Sequence, residues 1–323
     1  MAVYTQLTAA EIADFLAAYD VGVLRSAKGI AEGVSNSNWM IETERDGASQ
    51  RFILTVFEAR TQAADLPYFL SLLDHLAAKK LPVPRTIHTR EGALMREARG
   101  KPCALIEFLP GISIDEPETG QAHAVGVALA DLHLASSDFP QSRASSLSIP
   151  ICVQMLRDNA GRFDQIDPRL AAILPDCGTD ILELWPADLP EGTIHSDLFP
   201  DNVLFVDDRV TGLIDFYFAC SGLFAYDLAV THAAWSFGAT DHAFRRDIGD
   251  ALIEGYESRR RLSDAERGAL PLLAQGACLR FVATRVEDWF ATPSDGLVCR
   301  KNPMQFAHRL AFYREQGEAA FTL

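Results

Sequence analysis

The 323 residues are 48% hydrophobic and 23% charged, the balance of a folded globular chain, and their number suits two lobes of ~100–200 residues each better than one compact domain. Forty-four acidic against 29 basic residues leave a formal net charge of −15, which repels a nucleic-acid backbone and argues against that partner. Six scattered cysteines without a C-x-x-C pair, an N-terminus without a basic start, and no stretch near the ~18–20 apolar residues of a membrane span predict a reduced, cytoplasmic protein with no membrane partner.

Thr8 to Tyr19 places Ala9, Ile12, Phe15, Leu16 and Tyr19 at helical spacing, with Thr8 as N-cap and Glu11 three residues on. From Gly22 to Phe57 the pattern turns β-like, in VGVL, NWMIET and RFILTVFE separated by polar turns such as RDGASQ, and predicts an antiparallel sheet. Residues 65–80 return to helical period, with Leu66, Phe69, Leu70, Leu73 and Leu76 on one face and Pro67 in the first turn. VPRTIHT and KPCALIEFLPG read as further strands. After Gly111 helices dominate, beginning with QAHAVGVALADLHLA, so the boundary falls near residue 110. This gives an α+β chain with a β-rich lobe over 1–109 and a helical lobe over 110–323. One β island, Gly192 to Phe218, interrupts the helical half, and within it NVLFVDDRVTGLIDF reads as strand, Asp-Asp turn, strand.

The chemistry lies at the two ends of that hairpin. HSDLFPDN (195–202) carries Asp197 and, five residues later, Asn202; LIDF (213–216) carries Asp215. A hairpin between the two segments brings the three side chains together, and such an oxygen set suits Mg²⁺, a hard cation that retains several waters. Asp and Asn are also common turn residues, but a carboxylate in the apolar LIDF strand is costly without a use. An HxDxxxxN loop before an acidic strand end is how kinase-type phosphotransferases place a base and two metal ligands.

Over nearly its whole length the sequence resembles the aminoglycoside phosphotransferase and choline kinase superfamily, whose two-lobed fold is similar to that of protein kinases, and within it the bacterial homoserine kinase branch. The resemblance is carried by GIAEGVSNSNWMIET (29–43), FILTVFE (52–58), ALIEFLPG (104–111), VGVALADLH (125–133), GTIHSDLFPDNVLF (192–205), LIDFYFACSG (213–222), YDLAV (226–230) and LRFVATRVED (279–288). It implies ATP and Mg²⁺ as cosubstrate and metal, with Asp197 as catalytic base and Asn202 and Asp215 as metal ligands. His195 is expected to buttress the loop. GVSNSN, which alone reads as a hairpin turn, becomes the clasp over the ATP phosphates, with Gly33, Ser35, Asn36, Ser37 and Asn38 facing them. LIEFLPG becomes the adenine-binding hinge through the main chain of Glu107 and Leu109. Thr55 takes the strand position where many relatives carry a phosphate-holding lysine, a departure that leaves neutralisation to Mg²⁺ and the 33–38 turn.

The resemblance further implies transfer of the ATP γ-phosphoryl to the γ-hydroxyl of L-homoserine, on the route to threonine. A small amino acid needs an anion for its ammonium and a guanidinium for its carboxylate. Asp227, Trp235, Arg280 and Arg285 are the candidates, with Arg285 placed ahead of Arg280, although each has an equal reading as helix packing or salt bridging. Three other readings stay open: the same chemistry on an aminoglycoside, choline or a sugar alcohol; a nucleotide-binding pseudokinase, motivated by Thr55; and a metal-dependent hydrolase built on His195 and Asp197, which lacks further clustered ligands.

Overall fold

The computed structural model describes residues 5–30, 36–58, 62–240, 242–291 and 300–321. The chain divides into two compact units, Met1–Pro110 and Gly111–Leu323. The first opens on helix α1 (Ala9–Leu16), whose capping box forms as its sequence predicts: Thr8 Oγ1 accepts the Glu11 N–H at 3.3 Å, and the Glu11 carboxylate accepts the Thr8 N–H at 2.8 Å. It continues as β1 (Val23–Ile30), β2 (Ser37–Arg45), β3 (Ala48–Val56), α2 (Leu66–Ala78), β4 (Thr86–Ile87), β5 (Arg96–Ala98) and β6 (Lys101–Glu107). All pairings are antiparallel, in the order β1-β2-β3-β6-β4, with β5 also on β6.

Asp46 and Gly47 both take positive φ, at 52° and 78°, in the two-residue turn that sets Arg45 opposite Ala48. That register pairs Trp39 with Leu54 and Ile41 with Phe52, and these residues share one core with Ile12, Phe15, Leu16 and Tyr19 from the α1 segment. Each large side chain so buried contributes about 1.5–3 kcal/mol. β1 runs well beyond the VGVL segment that signals it. It pairs only with β2 and buries no residue fully, so its later residues carry no alternation to read. The three-residue, polar β5 gave no signal for the same reason.

The second unit contains α3 (Thr119–Ala135), α4 (Ile149–Asn159), α5 (Arg169–Ile173), α6 (Thr179–Glu183), β7 (Glu191–Ile194), β8 (Val203–Val206), β9 (Arg209–Leu213), β10 (Cys220–Leu223), α7 (Phe224–Trp235), α8 (Arg246–Glu257), α9 (Asp264–Ala291) and α10 (Met304–Gln316). Helices α3 and α8 approach closely at two glycines. A Cβ on Gly126 would stand 2.0 Å from the Leu252 carbonyl oxygen, and one on Gly255 would stand 2.1 Å from that of His123. Two antiparallel ribbons, β7–β10 and β8–β9, carry the loops of interest. Ile194 lies opposite Cys220 and Val203 opposite Leu213, so the segments 195–202 and 214–219 both run between the same ends of the two ribbons. No helix among the described residues is long and apolar enough to cross a membrane.

Candidate active site

Hydrogen bonds lock these two segments together. The Ile214 N–H donates to the Asn202 carbonyl at 3.0 Å. His195 Nδ1 accepts the Asp197 N–H at 3.2 Å, which leaves the proton on Nε2, where it meets the Ile214 carbonyl at 3.0 Å. Burial lowers the His195 pKa, so the ring is neutral and serves as a strut. Asn202 Nδ2 donates to the Asp197 carbonyl at 2.8 Å. Two non-glycine residues are left-handed here, Ser196 at φ 67° and Asp215 at φ 65°, and both flank the chemistry. Such conformations cost of order 1–3 kcal/mol each and persist only where surrounding contacts impose them.

Asp227 imposes the first. From the opening turn of α7 its fully buried carboxylate accepts the Ser196 N–H at 2.6 Å and the His195 N–H at 2.8 Å, and meets His133 Nε2 at 3.0 Å. His133 Nδ1 faces the Tyr256 hydroxyl at 2.8 Å. Burial pushes against the Asp227 charge, but the hydrogen bonds from His133 and His195 outweigh it and hold the carboxyl below its usual range. Burial keeps His133 neutral. Asp227 is therefore turned away from any ligand: it is fully buried, and its carboxylate is engaged by two loop N–H groups and by His133 of α3.

Arg280 of α9 imposes the second constraint on the loop. Its guanidinium donates to the Ser196 carbonyl, to Ser196 Oγ at 3.2 Å and to Asp197 Oδ1 at 3.3 Å. Burial holds the Asp197 carboxyl above the ordinary carboxylate range, with Arg280 pulling the other way. Asp215 is reached by solvent yet surrounded by enough protein that desolvation, followed by the charges of Asp197 and Asp201, pushes it up to about 7. The Asp197 and Asp201 charges thus both oppose ionisation of Asp215. Asn202 Oδ1 and the Asp215 carboxylate make no hydrogen bond among the described residues. Two oxygen-bearing side chains are thus left with hard acceptors to offer. No group of three His, Cys, Asp or Glu side chains stands at metal-holding spacing among the described residues.

Other expected site residues are engaged elsewhere. Trp235 is buried, with Nε1 donating to the Leu198 carbonyl at 2.9 Å and its ring against Phe205, so it packs beneath the loop and does not reach a ligand. Arg285 was expected ahead of Arg280, but its Nη1 donates to the Asn302 carbonyl at 3.0 Å and to Gln305 Oε1 at 2.7 Å. Burial, then Arg309, lowers its pKa to about 10. Five residues along α9, Arg280 is the arginine that turns to Asp197.

In the first unit Gly33 and Ser35 lie outside the described residues. Ser37 is fully buried; its Oγ donates to Glu58 Oε1 at 2.6 Å and accepts the Thr5 N–H at 3.0 Å, so it is not a free phosphate donor. Asn36 Oδ1 accepts the Glu58 N–H at 3.2 Å. Thr55 is buried on β3 and donates to Asn38 Oδ1 at 2.9 Å. The Glu107 N–H donates to the Arg85 carbonyl at 3.0 Å, which leaves only its carbonyl for a base. The Leu109 main chain appears in no hydrogen bond described for this unit.

Residues 26–262 match the phosphotransferase enzyme family. The chain belongs to that family. Relatives within it include the homoserine kinases of Azorhizobium caulinodans, 45% identical over 99% of this chain and 98% of that one, and of Methylobacterium radiotolerans, 45% identical over the same shares. The homoserine kinase of Brucella canis is 44% identical over 99% and 97%. Among solved structures, an amicoumacin kinase in complex with AMP-PNP and Ca²⁺ superposes with a TM-score of 0.70 at 13% identity, covering 98% of this chain and 94% of that one. A spectinomycin phosphotransferase in complex with ADP gives 0.67 at 16% identity over 95% of each chain. A choline kinase from Cryptosporidium parvum gives 0.65 at 14%, covering 91% and 89%. These likenesses establish the protein-kinase-like fold of this phosphotransferase.

Sequence reading missed two parts of the site. Ser196 gave no signal, since its left-handed φ and its bond to Asp227 are long-range facts. Asp201 reads as one more turn residue, although its charge raises both Asp197 and Asp215.

Proposed function

We propose that this phosphotransferase moves the γ-phosphoryl group of Mg-ATP to the γ-hydroxyl of L-homoserine, giving O-phospho-L-homoserine and ADP in the cytoplasm, on the route to threonine. The carrying observation is full-length identity of 45% to proteins named homoserine kinase, with the Asp197–Asn202–Asp215 constellation inside the matched region. Five described cysteines are buried free thiols, which suits a reducing compartment.

In this reading Asp197 accepts the hydroxyl proton, and its burial favours that, because a carboxylate held above its ordinary pKa is a stronger base. Arg280 and Asp227 act as positioning residues that hold loop 195–202 in its one productive shape. Asn202 Oδ1 and the Asp215 carboxylate, on the two side chains with unspent oxygens, fit a divalent cation that keeps its remaining ligands as water. When bound, Mg²⁺ supplies charge neutralisation for the phosphates. We assign nucleotide binding to the β-rich unit, through the Glu107 carbonyl, the Leu109 main chain and the β2–β3 face that carries Asn38 and Thr55. Of the four candidates for gripping the amino acid, Arg280 is the one that retains a place beside Asp197.

The test is ADP release with Mg-ATP across homoserine, serine, threonine, choline, kanamycin and methylthioribose. Homoserine is expected to exceed every other acceptor in kcat/KM. Turnover of kanamycin or choline with none of homoserine would overturn the substrate and leave the kinase.

A further inference from the structure

We propose that Tyr256 and Arg260 are positioning residues for the catalytic loop, acting from behind it. Arg260 directs the Tyr256 hydroxyl proton onto His133, and His133, so fixed, turns its own N–H to the Asp227 carboxylate that holds Ser196. The inference rests on the kinase reading above and adds two residues to the support of its base.

The contacts form one continuous chain within the second unit. Asp227 Oδ2 meets His133 Nε2 at 3.0 Å, His133 Nδ1 meets the Tyr256 hydroxyl at 2.8 Å, and the Tyr256 oxygen accepts from Arg260 Nη1 at 3.2 Å. Arg260 is anchored in turn, because its Nη2 donates to Glu266 Oε1 at 2.8 Å. The other Glu266 oxygen accepts the Ser263 N–H at 2.9 Å and the Ser263 hydroxyl at 3.0 Å, at the start of α9. Asp227, His133, Tyr256 and Glu266 are all buried. Phe224 covers one side of the chain: its ring stacks on His133 with centroids 4.6 Å apart, and the Arg260 guanidinium lies over it at 4.9 Å.

The charged ends decide where each proton sits. An ionised Asp227 offers only acceptors, so His133 carries its proton on Nε2, and its bare Nδ1 needs a donor. The Tyr256 hydroxyl is that donor. Its oxygen is met by a guanidinium that can only donate, which turns the hydroxyl proton toward His133. Burial, with a smaller push from the Arg260 charge, keeps the imidazole from gaining a second proton against the pull of Asp227. All donors then run one way, from Arg260 through Tyr256 and His133 to Asp227. That order leaves the carboxylate a single orientation, with its oxygens on the Ser196 and His195 N–H groups at 2.6 and 2.8 Å. Packing alone does not ask for the hydroxyl: α3 and α8 already meet closely at Gly126 and Gly255, and phenylalanine would fill the same space as Tyr256.

The experiment is steady-state kinetics of Tyr256→Phe and Arg260→Met, each in the parent and in an Asp227→Asn background, with amide hydrogen exchange on the same folded proteins. Tyr256→Phe should lower kcat on the order of 10-fold, with both KM values within about 3-fold of the parent and faster exchange at the Ser196 and His195 amides. In the Asp227→Asn background the same change should lower kcat by less than about 2-fold, since a residue that acts through the Asp227 carboxylate loses its effect with it. Arg260→Met should show the same split at smaller size, on the order of 3-fold in kcat, and Arg260→Lys should recover part of it. A kcat for Tyr256→Phe within about 2-fold of the parent overturns the proposal, as does an equal fold-loss in both backgrounds. Faster exchange confined to α3 and α8 also overturns it, and leaves Tyr256 a packing residue. If the parent transfers no phosphoryl group from ATP, the kinase reading fails separately, and exchange at residues 195 and 196 still decides Tyr256.

Discussion

Asp227 is the most heavily used side chain near the site, and replacing it tests whether the loop owes its shape to that carboxylate. Three buried donors converge on it: the Ser196 N–H, the His195 N–H and His133 Nε2. Alanine leaves all three unpaired at about 1–3 kcal/mol each, a total near the whole stability of a typical domain, about 5–15 kcal/mol. Asparagine is the informative variant because it keeps the shape. Its amide oxygen can stand where Oδ2 stands and keep two donors, but its NH₂ then points at the Ser196 N–H. The variant should lose about 2–3 kcal/mol, one hydrogen bond to a charged group, and release the left-handed Ser196. Urea unfolding followed by circular dichroism gives the stability, and kcat on the same sample reports the loop. The pH dependence has a definite sign. A carboxyl whose folded-state pKa is depressed stabilises above its unfolded value, about 3.9, and that contribution is lost as pH falls through the lower folded value. The stability gap between parent and variant should therefore be full at pH 6 and narrow on acidification. A loss below about 0.5 kcal/mol with kcat intact would refute the reasoning.

Asp197→Asn should lower kcat by several orders of magnitude while ADP binding by calorimetry is unchanged, since the base is lost and the metal-holding oxygens remain. Arg280→Met removes the guanidinium that pulls Asp197 down, so the acid limb of kcat/KM should move to higher pH; an unmoved limb would separate Asp197 from that limb. Gly126→Ala should destabilise by about 1–3 kcal/mol in thermal melts despite alanine's better helix propensity, because its Cβ would meet the Leu252 carbonyl. Thr55→Val should cost about 1 kcal/mol of stability, the hydroxyl bond to Asn38, and a melt equal to the parent's would contradict that bond's role.

The sequence was legible where local pattern and burial coincide. Thr8 and Glu11 form a capping box in any helix that starts there, and the leucines of α2 report their buried face through their spacing. The meeting of Asn202 with the segment of Asp215 followed from one short hairpin, which needs only a turn and two alternating strands. What stayed hidden depends on partners far along the chain. Asp227 and Trp235 look like ligand-binding residues in a list of polar and aromatic side chains, and only the fold shows them turned to residues 195, 196 and 198. The choice between Arg280 and Arg285 depends on the helix's rotation, which puts one at Asp197 and the other at Asn302.

The most direct measurement is phosphorus NMR of the protein with ATP, Mg²⁺ and L-homoserine, run beside Asp197→Asn. Phosphoryl transfer at Asp197 predicts a phosphomonoester resonance coupled to the homoserine γ-methylene protons, growing as the ATP γ-signal falls and absent in the variant. Loss of the γ-signal to inorganic phosphate with no phosphomonoester, or the same ester formed equally well by Asp197→Asn, would contradict it.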